Sequence, residues 1–201
     1  MRSVLLTWVL FSATGAEAGE RAAPALMHGE AAEPSVSVCI DRDVGPADMQ
    51  LARMFAFRIF ARIGTKIEWR CSGGSEPSIM VTMGANTPEG SYPGALAYAQ
   101  PFGGGIRVFY DRVQNRAPVM RAPLLGYVLA HEIVHVLQGL MRHSETGIMK
   151  AHWDDSDFGE MSSMRLAFTP YDVLLIQRGI AASGLAATPI LNDRALLPRV
   201  R

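Results

Sequence analysis

Apolar and polar residues alternate through Val36, Val38 and Ile40, the period of a strand with one buried face. After Pro46-Ala47-Asp48 the period changes. Apolar positions recur at helical spacing from Met49 to Ile63, and Gly64 supplies a stop. Short strands are expected at Lys66–Arg70 and Ile79–Met83. Strand, helix and strand within one short stretch imply a right-handed crossover and parallel pairing. Ala95–Gln100 and Ile106–Tyr110 read as two further strands, joined by a glycine-rich turn too short for a crossover and hence antiparallel. Pro118 and Pro123 precede a helix over about Leu124–Leu140, with Leu129, Ile133, Val136, Leu137 and Leu140 as its core stripe. A last helix spans Pro170–Ala182, with Thr169 as N-cap, Pro170 at the first helical position and Asp172 in the first turn. The pattern predicts one α+β domain over residues 35–182: a mixed, mostly parallel twisted sheet with an antiparallel edge strand, covered by the two long helices and followed by the C-terminal helix.

The chain has 201 residues, 49% of them hydrophobic, which suits a single core of this kind. Nineteen basic residues balance nineteen acidic ones, so no basic field exists to attract nucleic acid or an anionic membrane. Arg2, an apolar run from Val4 to Leu10 or Phe11, and small residues ending Ala16-Glu17-Ala18 describe a secretory signal over residues 1–18. The run is about half the length a membrane span requires. Export of a soluble chain, secreted or periplasmic, is the expectation. Residues 19–34, with His28 among them, read as a solvated leader or short pro-segment, and 183–201 as a surface extension. In an exported chain the two cysteines, Cys39 and Cys71, are expected to pair, since they fall on or beside neighbouring strands.

The chemistry enters on the second long helix, which carries His131-Glu132-Ile133-Val134-His135. Residues four apart share a helix face, so both imidazoles can reach one cation. Glu132 sits about 100° around the helix and can reach a water on that cation without ligating it. Zinc lowers the pKa of such a water toward 7, and the carboxylate takes its proton as the water attacks a carbonyl. A structural reading remains beside this one: two histidines on an amphipathic helix. There is no phosphate-cradling loop, and Ser144 and Ser156 lack the context of a serine nucleophile. Asp154, Asp155 and Asp157 read as a solvated acidic loop in preference to a calcium site, and Met161 and Met164 as packing residues.

Downstream come Gly139, His143, Ser144 and then Gly147-Ile148-Met149. Here the chain resembles the metzincin clan of zinc peptidases, whose pattern H-E-x-x-H-x-x-G-x-x-H is followed by a methionine-containing turn beneath the metal. The resemblance implies a zincin-type fold, with His131, His135 and His143 holding one Zn2+, Glu132 as general base and Met149 in the turn. Gly94–Asp111 and Phe168–Ile180 look like the edge-strand region and closing helix of matrix-metalloproteinase-type domains. The histidine those domains use for a structural zinc is Tyr98 here, so one zinc is expected. No cysteine stands in the leader for a zymogen latch. Seven residues separate His135 from His143 where the clan pattern has five. One additional residue before Gly139 and one after it can compensate, bringing His143 back over the metal. His152 is the alternative third donor, as are the carboxylates of Glu145, Asp154 and Glu160.

The reading is therefore a secreted, monomeric zinc endopeptidase acting on peptide or protein substrates. An extended peptide would lie antiparallel along Ala95, Leu96, Ala97 and Tyr98, where an edge strand offers unpaired backbone groups. A secreted zinc-binding module without peptidase activity is the competing reading. Retention of Glu132 speaks for the enzyme, because binding alone needs the histidines but not the base.

Overall fold

A computed structural model describes residues 34–41, 45–71, 79–101 and 105–182. The segments expected to be a secretory signal (1–18), a leader (19–34, all but Pro34) and a surface extension (183–201) lie outside the described residues. The chain runs β1 (Ser35–Ile40), α1 (Pro46–Ala61), β2 (Lys66–Trp69), β3 (Ile79–Gly84), β4 (Ala97–Gln100), β5 (Gly105–Phe109), α2 (Tyr110–Arg116), α3 (Arg121–Gln138), α4 (Asp155–Ser162) and α5 (Pro170–Ala182). The five strands form one sheet in the order β2-β1-β3-β5-β4. β1 pairs in parallel with β2 and β3, and β3 with β5; β4 alone runs antiparallel, against β5. The expected mixed sheet with an antiparallel edge strand is the observed one.

One face of this sheet is covered. Along β3, Ile79, Val81 and Met83 are buried while Met80 and Thr82 are exposed, and β4 alternates in the same way. α1 lays Met49, Ala52, Ala56, Ile59 and Phe60 into the core and packs against α3. These positions recur at three- and four-residue intervals, so they form one helix face. Pro46 opens α1, where a missing N–H costs nothing. Asp48 in its first turn accepts from the Tyr110 hydroxyl at 2.9 Å and the Arg121 guanidinium at 3.0 Å. That ties the starts of α1, α2 and α3 together.

Several boundaries depart from the sequence expectation. α3 begins at Arg121, three residues early, with Pro123 inside its first turn, where the helix asks no N–H of it. Its far end is Gln138, and Leu140, assigned to the core stripe, is exposed. The helix is also buried nearly all round, His131, Glu132 and His135 included. Tyr110 opens α2 instead of closing β5, and β4 starts at Ala97, leaving Ala95 and Leu96 just before it. The acidic segment read as a loop is the start of α4. Asp154 caps it by accepting from the N–H groups of Ser156 and Asp157, and Asp157 accepts from the Asp154 N–H in return. Lys150 Nζ lies 2.5 Å from Asp154 Oδ2 and 2.7 Å from Asp157 Oδ2, so an ammonium occupies the place a calcium ion would need. Met161 is fully buried in the core, and Met164 packs against it.

Cys39 and Cys71 form a disulfide that ties β1 to the segment after β2. Replacing both cysteines by serine is expected to lower stability by about 3 kcal/mol. Urea denaturation of the oxidised chain and of the double variant measures the difference.

Candidate metal centre

α3 delivers two imidazoles to one side, and the turn at its end fixes one of them. Gly139 takes φ 62°, the left-handed conformation that ends a helix, so that the Leu140 N–H reaches back to the His135 carbonyl at 3.3 Å. The Leu140 carbonyl then accepts the Nδ1–H of His135 at 2.8 Å. His131 donates its Nδ1–H to the Ile148 carbonyl, also at 2.8 Å. Ile148 belongs to the methionine-containing turn. Gly147 there has φ 77°, and a side chain on it would collide with the Ala167 carbonyl oxygen. Ile148 and Met149 are fully buried, and the Ile148 N–H donates to the Ala167 carbonyl at 3.0 Å.

With both Nδ1 atoms protonated, both Nε2 atoms carry lone pairs, and they face each other at 3.0 Å. Two acceptors at that distance repel unless a positive charge lies beside them. Burial works against a proton in that role. It is the main cause of the low pKa of His131, about 3, with the neighbouring His135 adding to it. Burial lowers His135 as well. A divalent cation fits instead: ligands 2.0–2.1 Å from a tetrahedral zinc stand about 3.3 Å apart. His143 completes the group. Ligand atoms of His131, His135 and His143 all lie within 4.8 Å of one another. The His143 ring centroid is 5.3 Å from that of His131 and 5.0 Å from that of His135. Among the described residues, His152, Glu145, Asp154 and Glu160 do not join this group.

Glu132 is buried, its Oε2 has no hydrogen-bond partner, and burial raises its carboxyl to about 8. A buried carboxylate oxygen without a donor has been desolvated without compensation. Such a group suits proton transfer near neutral pH. Trp153, which the sequence reading left unremarked, stands edge-on to His131 with centroids 5.5 Å apart, and its indole N–H is buried without a partner. Nothing in the local sequence marks it, because it follows the turn at no diagnostic spacing.

The depressed pKa of His131 has a consequence for the metal-free chain. The unfolded chain takes up a proton near pH 6.5 that the folded one refuses until about pH 3. Stability is therefore full above pH 6.5 and falls as the pH drops toward 3, by roughly 2–4 kcal/mol. His131→Asn should flatten that slope, as measured by denaturation of metal-free protein between pH 4 and 7.

Comparison with known proteins bears on the fold. The chain matches no protein-family model, and no curated protein matches it. Among solved structures it is similar to archaemetzincin from Methanopyrus kandleri, with a TM-score of 0.50 and 14% identity, over 73% of this chain and 95% of that one. The fold is thus zincin/metzincin-like. The likeness does not reach as far as the matrix-metalloproteinase-type subgroup.

Proposed function

We propose that residues 35–182 form a zinc-dependent peptidase in which His131, His135 and His143 hold one Zn2+ and Glu132 is the general base. The observation that carries this reading is the pair of Nε2 atoms 3.0 Å apart in a buried site, with a third imidazole alongside. Carbonyls at Leu140 and Ile148 hold two rings in the tautomer that presents Nε2. Zinc bound there would lower the pKa of a coordinated water toward 7 and polarise the substrate carbonyl. Glu132 accepts a proton from the attacking water at its unpartnered oxygen and returns it to the leaving amine. A zinc-binding module without catalysis would have no use for a desolvated carboxylate, which costs stability at neutral pH. The archaemetzincin-like fold supports a peptide or protein substrate. Export to an oxidising compartment is supported by the disulfide. No described helix is long and apolar enough to cross a membrane.

The test is metal analysis of the folded chain together with a casein-hydrolysis assay, with and without a chelator. One zinc per chain and chelator-sensitive cleavage are expected. Zinc without cleavage would leave the binding-module reading, and no zinc would remove both.

The substrate would pair with β4. The β4–β5 register starts at Ala97 opposite Val108; continued by one residue it sets Leu96 opposite Phe109, whose N–H donates to the Leu96 carbonyl at 2.8 Å. In an antiparallel ladder bonded pairs alternate with unbonded ones, so Tyr98 also points its N–H and C=O toward β5. The groups at the open edge then belong to Ala97 and Ala99. Proline at Leu96 or Tyr98 would disturb the β4–β5 ladder itself, whereas proline at Ala97 or Ala99 removes an edge donor. Ala97→Pro or Ala99→Pro is expected to reduce casein turnover at least tenfold with zinc content unchanged. Unaltered turnover in either folded variant would place the substrate elsewhere.

A further inference from the structure

The buried carboxylate of Asp172, at the start of α5, gathers four donors from two segments. Its Oδ2 accepts from the Thr169 N–H at 3.2 Å and the Thr169 hydroxyl at 2.7 Å. Its Oδ1 accepts from the Ser144 hydroxyl at 2.7 Å and from the Arg142 guanidinium. Asp172 is fully buried, whereas the Arg142 side chain is one-third exposed. A helix cap would need only the Thr169 half of this arrangement. The other half grips the two residues that flank His143. Arg142 also donates to the His143 carbonyl at 3.2 Å and to the Ser144 hydroxyl at 3.1 Å, while its guanidinium stacks on Tyr171.

The same end of α5 reaches the methionine-containing turn. The Ser144 N–H donates to the Met149 carbonyl at 2.7 Å, and the Ile148 N–H to Ala167, two residues before Thr169. Ile148 is the residue whose carbonyl holds His131. The segment from Ala167 to Asp172 therefore braces both the loop of His143 and the turn behind His131.

We propose that Asp172, acting through Arg142 and Ser144, is the positioning residue for His143. It replaces with a charged clamp the constraint that the lengthened connection from His135 loses. Seven intervening residues make a loop with more conformations than five, and a third donor on such a loop binds metal weakly unless it is held in advance. The inference rests on the metal reading above. It predicts that the clamp sets metal affinity and coordination more than it sets the stability of the fold.

The experiment compares the wild type with Arg142→Gln, Arg142→Lys, Asp172→Asn, His143→Ala and Ile176→Ala. Each protein is titrated with zinc against a chromophoric chelator, its visible spectrum is recorded with cobalt(II) in place of zinc, and its metal-free form is melted. Arg142→Gln should keep a cooperative melt, weaken zinc about 10–100-fold and shift the cobalt spectrum toward that of His143→Ala. Asp172→Asn should do the same or more if it folds. Arg142→Lys, which keeps the charge but not the fork, should recover part of the affinity. Ile176→Ala, a core change in the same helix, should lower the melting temperature and leave the cobalt spectrum alone. Wild-type affinity and spectrum in folded Arg142→Gln, with His143→Ala impaired, would overturn the clamp and spare the metal site. Equal zinc binding by wild type and His143→Ala would overturn the site and the clamp together.

Discussion

Glu132→Ala is expected to retain one zinc per chain and to lose about 10²–10⁴-fold in peptide hydrolysis. The two halves of that expectation have separate origins. Zinc stays because the imidazoles, fixed by the carbonyls of Leu140 and Ile148, do not depend on the carboxylate. Activity falls because Glu132 is the buried, unpartnered group that can accept the proton of the attacking water. The substitution should also relieve the fold. Burial raises this carboxyl to about 8, so above pH 4.5 the metal-free chain carries a cost that grows until about pH 8. The variant should therefore melt at a higher temperature than the metal-free wild type at pH 8. Kinetics, metal analysis and melting of the same preparation check all three. Full activity in the variant would dismiss the assigned base.

His143→Ala is expected to weaken zinc binding by at least a hundredfold, whereas alanine at Glu145, Asp154, Glu160 or His152 should leave it within a few-fold. His131, His135 and His143 form the compact group, while Asp154 is engaged by Lys150 and by the start of α4. In the proposed site, losing one of three protein ligands would leave two imidazoles and water to complete the coordination, and such a site holds zinc far less firmly. Competition titration against a chromophoric chelator measures the change. Loss in a carboxylate variant, with normal affinity in His143→Ala, would replace the third donor.

Much of this protein could be read from its sequence because the signals were local. The alternation in β1 and β3, the helical period of α1 and the short turn before β5 each fix an element from neighbouring residues, and together they determine a mostly parallel sheet with one antiparallel edge. The spacing of His131 and His135 fixes their shared face because a helix repeats every 3.6 residues. Helix ends were less legible. Leu140 continues the apolar period of the core stripe yet is exposed, because Gly139 turns the chain away just before it. α4 is hidden in the sequence because Asp154 and Asp157, which cap it, are also the residues of an acidic loop.

Only the tertiary structure could decide what brings His143 to the other two. A seven-residue connection has no preferred path of its own, and Asp172, which grips it, is 28 residues beyond Ser144 in the chain. In the sequence, Thr169-Pro170-Tyr171-Asp172 announces a helix start and nothing more. The second task of that carboxylate depends on contacts between segments distant in sequence. The same holds for the open edge of β4, where pairing with β5 determines which backbone groups remain for a substrate.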